Sequence, residues 1–335
     1  MRHLNSNQFL LINIMIINLG IISLIAISFG SYEISLYDFI SGTMHEIQEA
    51  VLIKIRIPRV VLAIFVGASL SLSGCCLQGL FRNPLADPGL IGVSAGAALG
   101  ATSFIVLGSN YFPNYLLGPY LLPLSAIIGS ASVIALLFFL TKGFGKEGIT
   151  YLLLAGIAVN SFAGVGIGIL TYISTDSELR GLTFWTMGSF GGVSWELIFP
   201  AIIIIFIIII AIIRSSRKLD ILQLGEPEAY RLGIDIKRLR FNIIISSAII
   251  VGISVSLTGM IGFVGLIVPH LMRILGGVNH NYLMPGSAIA GAVLMVIADL
   301  ISRVILQPAE LPIGLITSAL GSPFFLWLIF RMRTQ

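Results

Sequence analysis

The chain has 335 residues, of which 57% are hydrophobic and only 10% are charged, whereas an ordinary soluble domain carries about 25% Asp, Glu, Lys and Arg. This composition excludes a soluble globular fold. The formal charge is only +4, so the small basic excess does not indicate a nucleic-acid partner. It is typical of the cytoplasmic loops of a protein embedded in a lipid bilayer.

Ten apolar segments predict an all-α polytopic membrane protein with a single transmembrane domain over residues 1–335. A spanning helix needs about 20 mostly apolar residues, and charges, prolines or glycine-rich breaks bound each segment. The eighth segment is too short to cross the bilayer as a straight helix. The predicted spans are 9–29, 60–80, 89–107, 116–140, 150–172, 197–213, 241–261, 263–276, 284–305 and 312–330.

The distribution of Lys and Arg predicts the orientation. When the amino terminus is placed inside, 14 of the 19 basic residues fall on the inner side. Cytoplasmic loops of membrane proteins carry such an excess. The sequence therefore predicts that both termini are cytoplasmic.

Two polar segments are longer than plain connections. Residues 30–59 are amphipathic and predict a surface helix on the outer, periplasmic face. Residues 214–240 lie inside and hold seven of the 14 inner basic residues, so they form either a charged linker or a docking element. Gly225 and Pro227 are placed for a helix start and Gly233 for its end. A short amphipathic helix there favours the docking element.

One sequence string occurs twice. VGASLSLSG at 66–74 and VGISVSLTG at 251–259 are identical at six of nine positions. They lie in the second and seventh spans, so the copies cross in opposite directions and predict an inverted repeat of helices 2–5 and 7–10. A segment broken by Pro or Gly follows each copy, which indicates a transport pathway at the repeat interface. The alternative is that these small residues only permit close helix packing.

Ionisable groups inside the predicted spans are scarce. Asp299 is the only carboxylate well inside a span, and it precedes Arg303 by four residues, so the two side chains lie on one helix face. Asp299 either forms an ion pair with Arg303 or binds a proton, and the four-residue spacing favours the ion pair. The four histidines form no metal-binding motif. The adjacent Cys75 and Cys76 are interpreted as small packing residues.

The sequence contains no nucleotide-binding loop of the form G-x-x-x-x-G-K-[ST]. The nearest string, GFGKEG at 143–148, has Glu after Gly-Lys. A transporter without ion-coupling groups or a nucleotide site takes its energy from a partner. The predicted helix within 214–240 is the expected place for that partner to bind.

Several strings carry a family resemblance. RIPRVVLAIFVGASLSLSGCCLQGLFRNPLADPGLIGVSAGAALGA at 56–101 resembles the signature of the iron-siderophore, hemin and cobalamin ABC-importer permeases of the FecCD type. Supporting strings are LRGLTFWTMGSFGG at 179–192, GEPEAYRLGID at 225–235, GFVGLIVPHLMRILGG at 262–277 and PAELPIGLITSALGSPFFLWL at 308–328. The residues from LQGLF to AALG and the last string look closest to hemin permeases.

The resemblance implies the type II ABC importer permease fold in the bacterial inner membrane. Such a permease pairs with a second copy of itself, and the pathway lies between the two subunits. Two ATP-binding cassette subunits dock on the cytoplasmic side, and a periplasmic substrate-binding protein delivers the cargo. The permease then has no permanently bound cofactor, no metal site and no catalytic residue, and its partner uses the ATP.

The resemblance also implies roles for individual residues. The ATPase-coupling helix corresponds to Gly225, Glu226, Glu228, Ala229, Leu232 and Gly233, with an apolar face that inserts into a groove of the ATPase. Outer-face arginines that receive acidic residues of the binding protein correspond to Arg56, Arg59 and Arg303. Arginines at helix ends can instead be anchors, and Arg303 has Asp299 as a competing partner.

Arg180 follows the fifth predicted span and is a lone cation at the predicted pathway mouth. A guanidinium there can meet a haem propionate. The alternative is an ion pair with Asp176 or Glu178.

The sequence therefore predicts an ATP-driven importer permease for haem. A ferric-siderophore or cobalamin permease is the alternative within the same class, because members of the family with these different cargos have the same overall fold. An ion-coupled secondary transporter is the alternative from a different class. A purely structural membrane subunit is disfavoured by the paired broken helices.

Overall fold

The computed structural model describes residues 5–30, 36–108, 118–141 and 148–333, and these residues form helices and connecting loops without a β-strand. Residues 1–4 and 334–335, the segment 31–35 of the predicted surface region and residues 143–147 of GFGKEG lie outside the described part. The α-helices are α1 Ser6–Ser28, α2 Leu36–Ser41, α3 Glu46–Val51, α4 Ile57–Phe81, α5 Val93–Ser103, α6 Gly118–Leu140, α7 Gly148–Ile173, α8 Asp176–Met187, α9 Trp195–Ile213, α10 Ser216–Leu222, α11 Glu226–Arg231, α12 Ile236–Thr258, α13 Val264–Gly276, α14 His280–Val304 and α15 Ile313–Arg333.

The ten predicted spans correspond to ten apolar helical segments in the described residues. Seven are long and apolar enough to cross a membrane, and three are shorter. The eighth, α13, has 13 residues, which confirms that it is too short for a straight crossing. The third span is also broken: a 3₁₀ turn, Pro88–Ile91, precedes α5, and a π-helical turn, Phe104–Gly108, follows it.

Helix α4 forms the centre of the bundle. Every side chain from Val66 to Leu80 is buried, and α12, α13 and α14 pack around it. Pro58 lies in the first turn of α4, directly after the π-helical turn Leu52–Arg56, so its missing N–H falls where the helical hydrogen-bond pattern changes. The helix ends at Phe81 because Arg82 adopts a left-handed conformation, with φ 51°.

The predicted inverted repeat has a counterpart in the packing. In the first copy, a Cβ added to Gly67 of α4 would lie 2.3 Å from the carbonyl oxygen of Gly291 in α14. In the second copy, a Cβ on Gly252 of α12 would lie 3.2 Å from the side chain of Ser130 in α6. Each repeat string therefore presents its first glycine to a crossing helix, so the small residues also serve close packing.

The predicted site residues lie mainly at two opposite ends of the bundle. The end named here the arginine end contains the first turn of α4 and the last turn of α14. The end named the coupling end carries α10 and α11, together with the last turn of α4 and the first turn of α14. Helix α1 is held at the coupling end by a 2.7 Å hydrogen bond from Gln8 Nε2 to the carbonyl oxygen of Gly276.

The polar segment 30–59 differs from the single surface helix that the sequence predicts. Its described part contains two short helices, α2 and α3, and a π-helical turn, Leu52–Arg56, that leads into α4. Ile40 and Ile47 remain largely exposed, at 84% and 72%. Helix α8, which the pattern of apolar runs does not predict, connects the fifth and sixth spans.

Candidate functional site

The arginine end contains a buried ion network centred on Asp299. Arg59 Nε donates to Asp299 Oδ1 at 2.6 Å, and Arg59 Nη1 donates to both carboxylate oxygens of Glu310 at 2.9 Å. Asp299 is fully buried and Arg59 is 5% exposed, whereas the Glu310 side chain is half-exposed. Burial of these charges is tolerated because each is paired and hydrogen-bonded.

Arg303 and Arg56 bind the carboxyl end of α1. Arg303 Nε donates to Asp299 Oδ2 at 3.0 Å, and its two other nitrogens donate to the carbonyl oxygens of Ala26 and Phe29 at 2.8 and 3.1 Å. Arg56 Nη1 donates to the carbonyl oxygens of residues 27 and 28 at 2.8 and 2.6 Å. The last carbonyls of a helix lack intrahelical partners and carry partial negative charge, so two guanidinium groups cap α1.

The three arginines predicted to dock a binding protein are therefore buried and engaged within this chain. Arg56, Arg59 and Arg303 are 5%, 5% and 7% exposed. The ion pair predicted between Asp299 and Arg303 is present, and Arg59 is a second partner that the sequence spacing does not indicate. The docking role stays a prediction, and the network shows that these arginines also hold α1, α4 and α14 together.

The predicted short helix at the coupling end is present as α11. Gly225 precedes it with φ 116°, a conformation that favours glycine. Gly233, with φ 82°, follows it and donates its N–H to the carbonyl oxygen of Tyr230 at 3.0 Å. The glycine and proline signals in the sequence therefore locate both ends of the helix.

The sides of α11 differ from the prediction. Ala229 is fully buried, and Glu226 forms an ion pair with the buried Arg240 of α12. These two residues hold the helix against the bundle, so the part of the apolar face that contains Ala229 does not project outward. The side chains that do project are Leu224, Tyr230 and Leu232, exposed at 66%, 75% and 59%.

This exposed set, Leu224, Tyr230 and Leu232, is named here the apolar patch. Only Leu232 was predicted from the sequence. Tyr230 was missed because a helix of six residues is too short for its periodicity to decide which side faces inward. Glu228 lies beside the patch and contacts Arg231 at 3.6 Å.

Helix α10 connects α11 to the centre of the bundle. Asp220 Oδ1 accepts hydrogen bonds from the backbone N–H of His280 at 2.9 Å and lies 2.6 Å from His280 Nδ1. Gln223 Nε2 donates to the carbonyl oxygen of Gly79 at 2.8 Å. A displacement of α10 and α11 would therefore be transmitted directly to α4 and α14.

Arg180 lies on α8 and is exposed. Glu178 accepts a 2.8 Å hydrogen bond from the backbone N–H of Thr175 at the start of the same helix. Within the described ranges, Arg180 forms no ion pair with Asp176 or Glu178. Its guanidinium is therefore available to an anion.

Comparison with known proteins identifies the family. The model of the FecCD transport family matches residues 17–331. The chain belongs to the FecCD transport family. It is therefore a multi-pass membrane protein and an ABC importer permease, a transport subunit and not an enzyme. The resemblance inferred from residues 56–101 is confirmed.

Individual members of the FecCD transport family align over most of the chain. The chain is 41% identical over 326 residues to the hemin transport system permease protein HmuU of Yersinia pestis. This alignment covers 97% of each protein. It is 40% identical over 278 residues to the vitamin B12 import system permease protein BtuC of Salmonella typhi, and this alignment covers 83% of each protein. A solved inward-facing structure of a metal-chelate type ABC transporter matches with a TM-score of 0.85 at 34% identity and covers 96% of this chain and 98% of that one.

Proposed function

We propose that this permease imports haem across the bacterial inner membrane, driven by a partner ATPase, with both termini on the cytoplasmic side. The observation that carries the cargo assignment is the similarity to a hemin permease along 97% of both chains. The similarity to the vitamin B12 permease covers 83%. The free cation on α8 is compatible with a cargo that carries carboxylates.

The apolar patch at the coupling end is the proposed docking site of the ATP-binding subunits. Leu224, Tyr230 and Leu232 expose apolar surface within the polar segment 214–240, which is typical of a protein interface. Gly225 and Gly233 set the ends of the coupling helix, while Glu226 and Ala229 fix it to the bundle. Movement of the ATPase then reaches α4 and α14 through Asp220, Gln223 and their partners.

The second subunit of the proposed homodimer fits the exposed side of α7. A Cβ added to Gly164 or to Gly168 would meet no atom within 4 Å, and Phe162, Val165 and Ile169 are more than half exposed. Small residues four positions apart permit close approach of a neighbouring helix in a membrane. The cargo pathway is proposed to run between the two copies, with Arg180 receiving a haem propionate.

Docking of a periplasmic binding protein remains part of the proposal at the arginine end. Among the partners of Arg59, Glu310 is the half-exposed one, so it is the contact that an acidic residue from outside can replace. Arg56 and Arg303 lie deeper, against the end of α1. An incoming carboxylate is therefore expected to compete with Glu310 for Arg59 before it reaches the other two arginines.

A ferric siderophore or cobalamin is the second candidate cargo, favoured by the similarity to the vitamin B12 permease and to the metal-chelate type transporter. The ion-coupled secondary transporter, by contrast, is wrong as a class, because the chain belongs to a family of ABC importer permeases. The double pairing of Asp299 with Arg59 and Arg303 also disfavours a proton-binding role.

Reconstitution tests the proposal. The permease, its ATPase and its binding protein are placed in liposomes, and ATP-dependent uptake of haem, a ferric siderophore and cobalamin is compared. Uptake of haem alone supports the proposal. Uptake of another cargo without haem replaces the cargo assignment, and uptake that continues without ATPase contradicts the coupling mechanism.

A further inference from the structure

A polar cavity of about 600 Å³ lies at the coupling end, separate from the apolar patch. Its walls come from the last turn of α4 and the loop after it, from α10, from the second half of α13 and from the loop that leads into α14. The polar residues that line it include Gln78, Arg82, Asn83, Asp220, Arg273 and His280. Three of the lining residues, Arg82, Asn83 and Pro84, are exposed, so a group can enter the cavity from the protein surface.

The cavity carries an uncompensated positive charge. Asp220 is the one acidic residue among its lining, and His280 already occupies that carboxylate through its ring and its backbone N–H. In the described ranges of the chain, neither Arg82 nor Arg273 forms an ion pair with a carboxylate. Two guanidinium groups therefore face a shared space without an acidic partner.

Arg273 is held in place by neutral groups. Its Nη2 donates to Gln78 Oε1, and Gln78 in turn donates from Nε2 to the carbonyl oxygen of Gly265 at 3.0 Å. The Nη1 atom is buried and has no hydrogen-bond partner among the described residues. A guanidinium that is oriented but incompletely hydrogen-bonded favours a planar acceptor such as a carboxylate.

The position of the cavity indicates which kind of partner can reach it. Asp220 of α10 and Gln223, which directly follows α10, form one wall, and the chain continues from there to α11 and the apolar patch. A carboxylate bound in the cavity would therefore tie the α10 and α11 segment to α4 and α13. We propose that the cavity receives an acidic side chain of the ATP-binding subunit, beside the contact made by the apolar patch. This inference rests on the proposed function.

Arg82 offers the cleanest test because it is exposed and Asn and Asp tolerate its left-handed conformation. Affinity of the permease in lipid nanodiscs for the purified ATPase is measured for Arg82→Asp, for Arg82→Asn and for the control Arg217→Glu, an exposed basic residue of α10 outside the cavity lining. We expect the affinity to fall about tenfold for Arg82→Asp and about threefold for Arg82→Asn. For Arg217→Glu the expected loss is less than about twofold.

Salt and a second variant separate this contact from general attraction. High salt should shrink the difference between Arg82→Asp and the wild type, since screening weakens exposed charge pairs. Arg273→Gln, checked for wild-type thermal stability, should lower the affinity as well. Equal losses for Arg82→Asp and Arg217→Glu, or no loss for Arg82→Asp, would overturn the inference.

Two further outcomes distinguish the proposals. If Arg82→Asp leaves the ATPase affinity unchanged but reduces haem uptake, the cavity serves the cargo, and the inference is wrong while the proposed function stands. If the wild-type permease fails to bind any ATPase subunit, the proposed function fails first. Binding of the wild type with selective loss in Arg82→Asp supports both.

Discussion

At the arginine end, Arg59 and Arg303 share the buried carboxylate of Asp299, whereas at the coupling end Arg82 and Arg273 line an open cavity with no acidic partner among the described residues. Arg59 and Arg82 lie at the two opposite ends of α4, and their neighbouring arginines, Arg303 and Arg273, lie in α14 and α13, which pack against α4. The first arrangement satisfies its charges within the chain and fixes three helices to one another. The second leaves two guanidinium groups without an acidic partner among the described residues, at the end of the bundle that also carries the apolar patch.

The largest expected effect is a loss of folding stability when the ion network at the arginine end is disrupted. Asp299→Asn removes the negative charge between two buried guanidinium groups, which typically costs about 3–5 kcal/mol of folding stability. Thermal unfolding of the permease in detergent measures the loss. A stability equal to that of the wild type would show that the network is not needed to hold α1, α4 and α14 together.

The next effect concerns the central crossing of α4 and α14. Gly67→Ala forces a methyl group to within 2.3 Å of the Gly291 carbonyl oxygen, and such overpacking costs about 1–3 kcal/mol. Gly20→Ala on α1 is the matched control, since its added Cβ meets no atom within 4 Å. Equal unfolding temperatures for the two variants would contradict the packing at the repeat string.

A comparable effect tests the coupling end without disturbing the fold. Tyr230→Ala and Leu232→Ala remove exposed apolar surface and should each weaken ATPase binding by about 1–2 kcal/mol, or up to about thirtyfold. Ile47→Ala, equally exposed but at the opposite end, should have no effect. Binding in nanodiscs provides the measurement, and unchanged affinity for both patch variants would remove the patch from the interface.

The cargo contact is expected to be weaker. Arg180→Gln should raise the haem concentration needed for half-maximal uptake about fivefold, because an exposed charge-assisted hydrogen bond contributes about 1 kcal/mol. Arg180→Lys keeps the charge and should retain most of the uptake. If the Gln variant transports haem like the wild type, Arg180 does not contact the cargo.

The smallest effect sharpens the comparison of the two ends. Glu310→Gln removes a half-exposed partner of Arg59, and such exposed pairs contribute about 0–1 kcal/mol. Stability should change little, while binding-protein affinity should rise slightly, since Arg59 loses an internal competitor. A lower affinity would mean that Glu310 itself supports docking.

Much of the fold could be predicted from the sequence. The span predicted over 60–80 is α4, Ile57–Phe81, and the span over 284–305 is α14, His280–Val304. Long apolar runs specify such helices because the bilayer leaves few alternatives for an unpaired backbone. Helix α8 was missed because it is short and carries Asp176, Glu178 and Arg180, so its composition is that of a connecting loop.

The candidate sites were predicted in part. The glycines that bound α11 were recognised because a positive φ favours one residue type, and the apolar, polar or charged character of a residue is visible in the sequence. The sequence does not show which side of a six-residue helix faces the bundle, so the inward contacts of Ala229 and Glu226 could not be predicted. Likewise, the cavity around Arg82 and Arg273 joins residues almost 200 positions apart.

The sequence by itself determined the class of the molecule, because composition, apolar run length and glycine or proline punctuation act locally and dictate helices in a membrane. It also determined the family, through strings that cover most of the chain. Only the tertiary structure decided which charges are satisfied and which are free. That depends on distances between side chains such as Arg59, Asp299 and Glu310. Helix packing brings these side chains together, and the local sequence pattern around Arg59 does not indicate its partners.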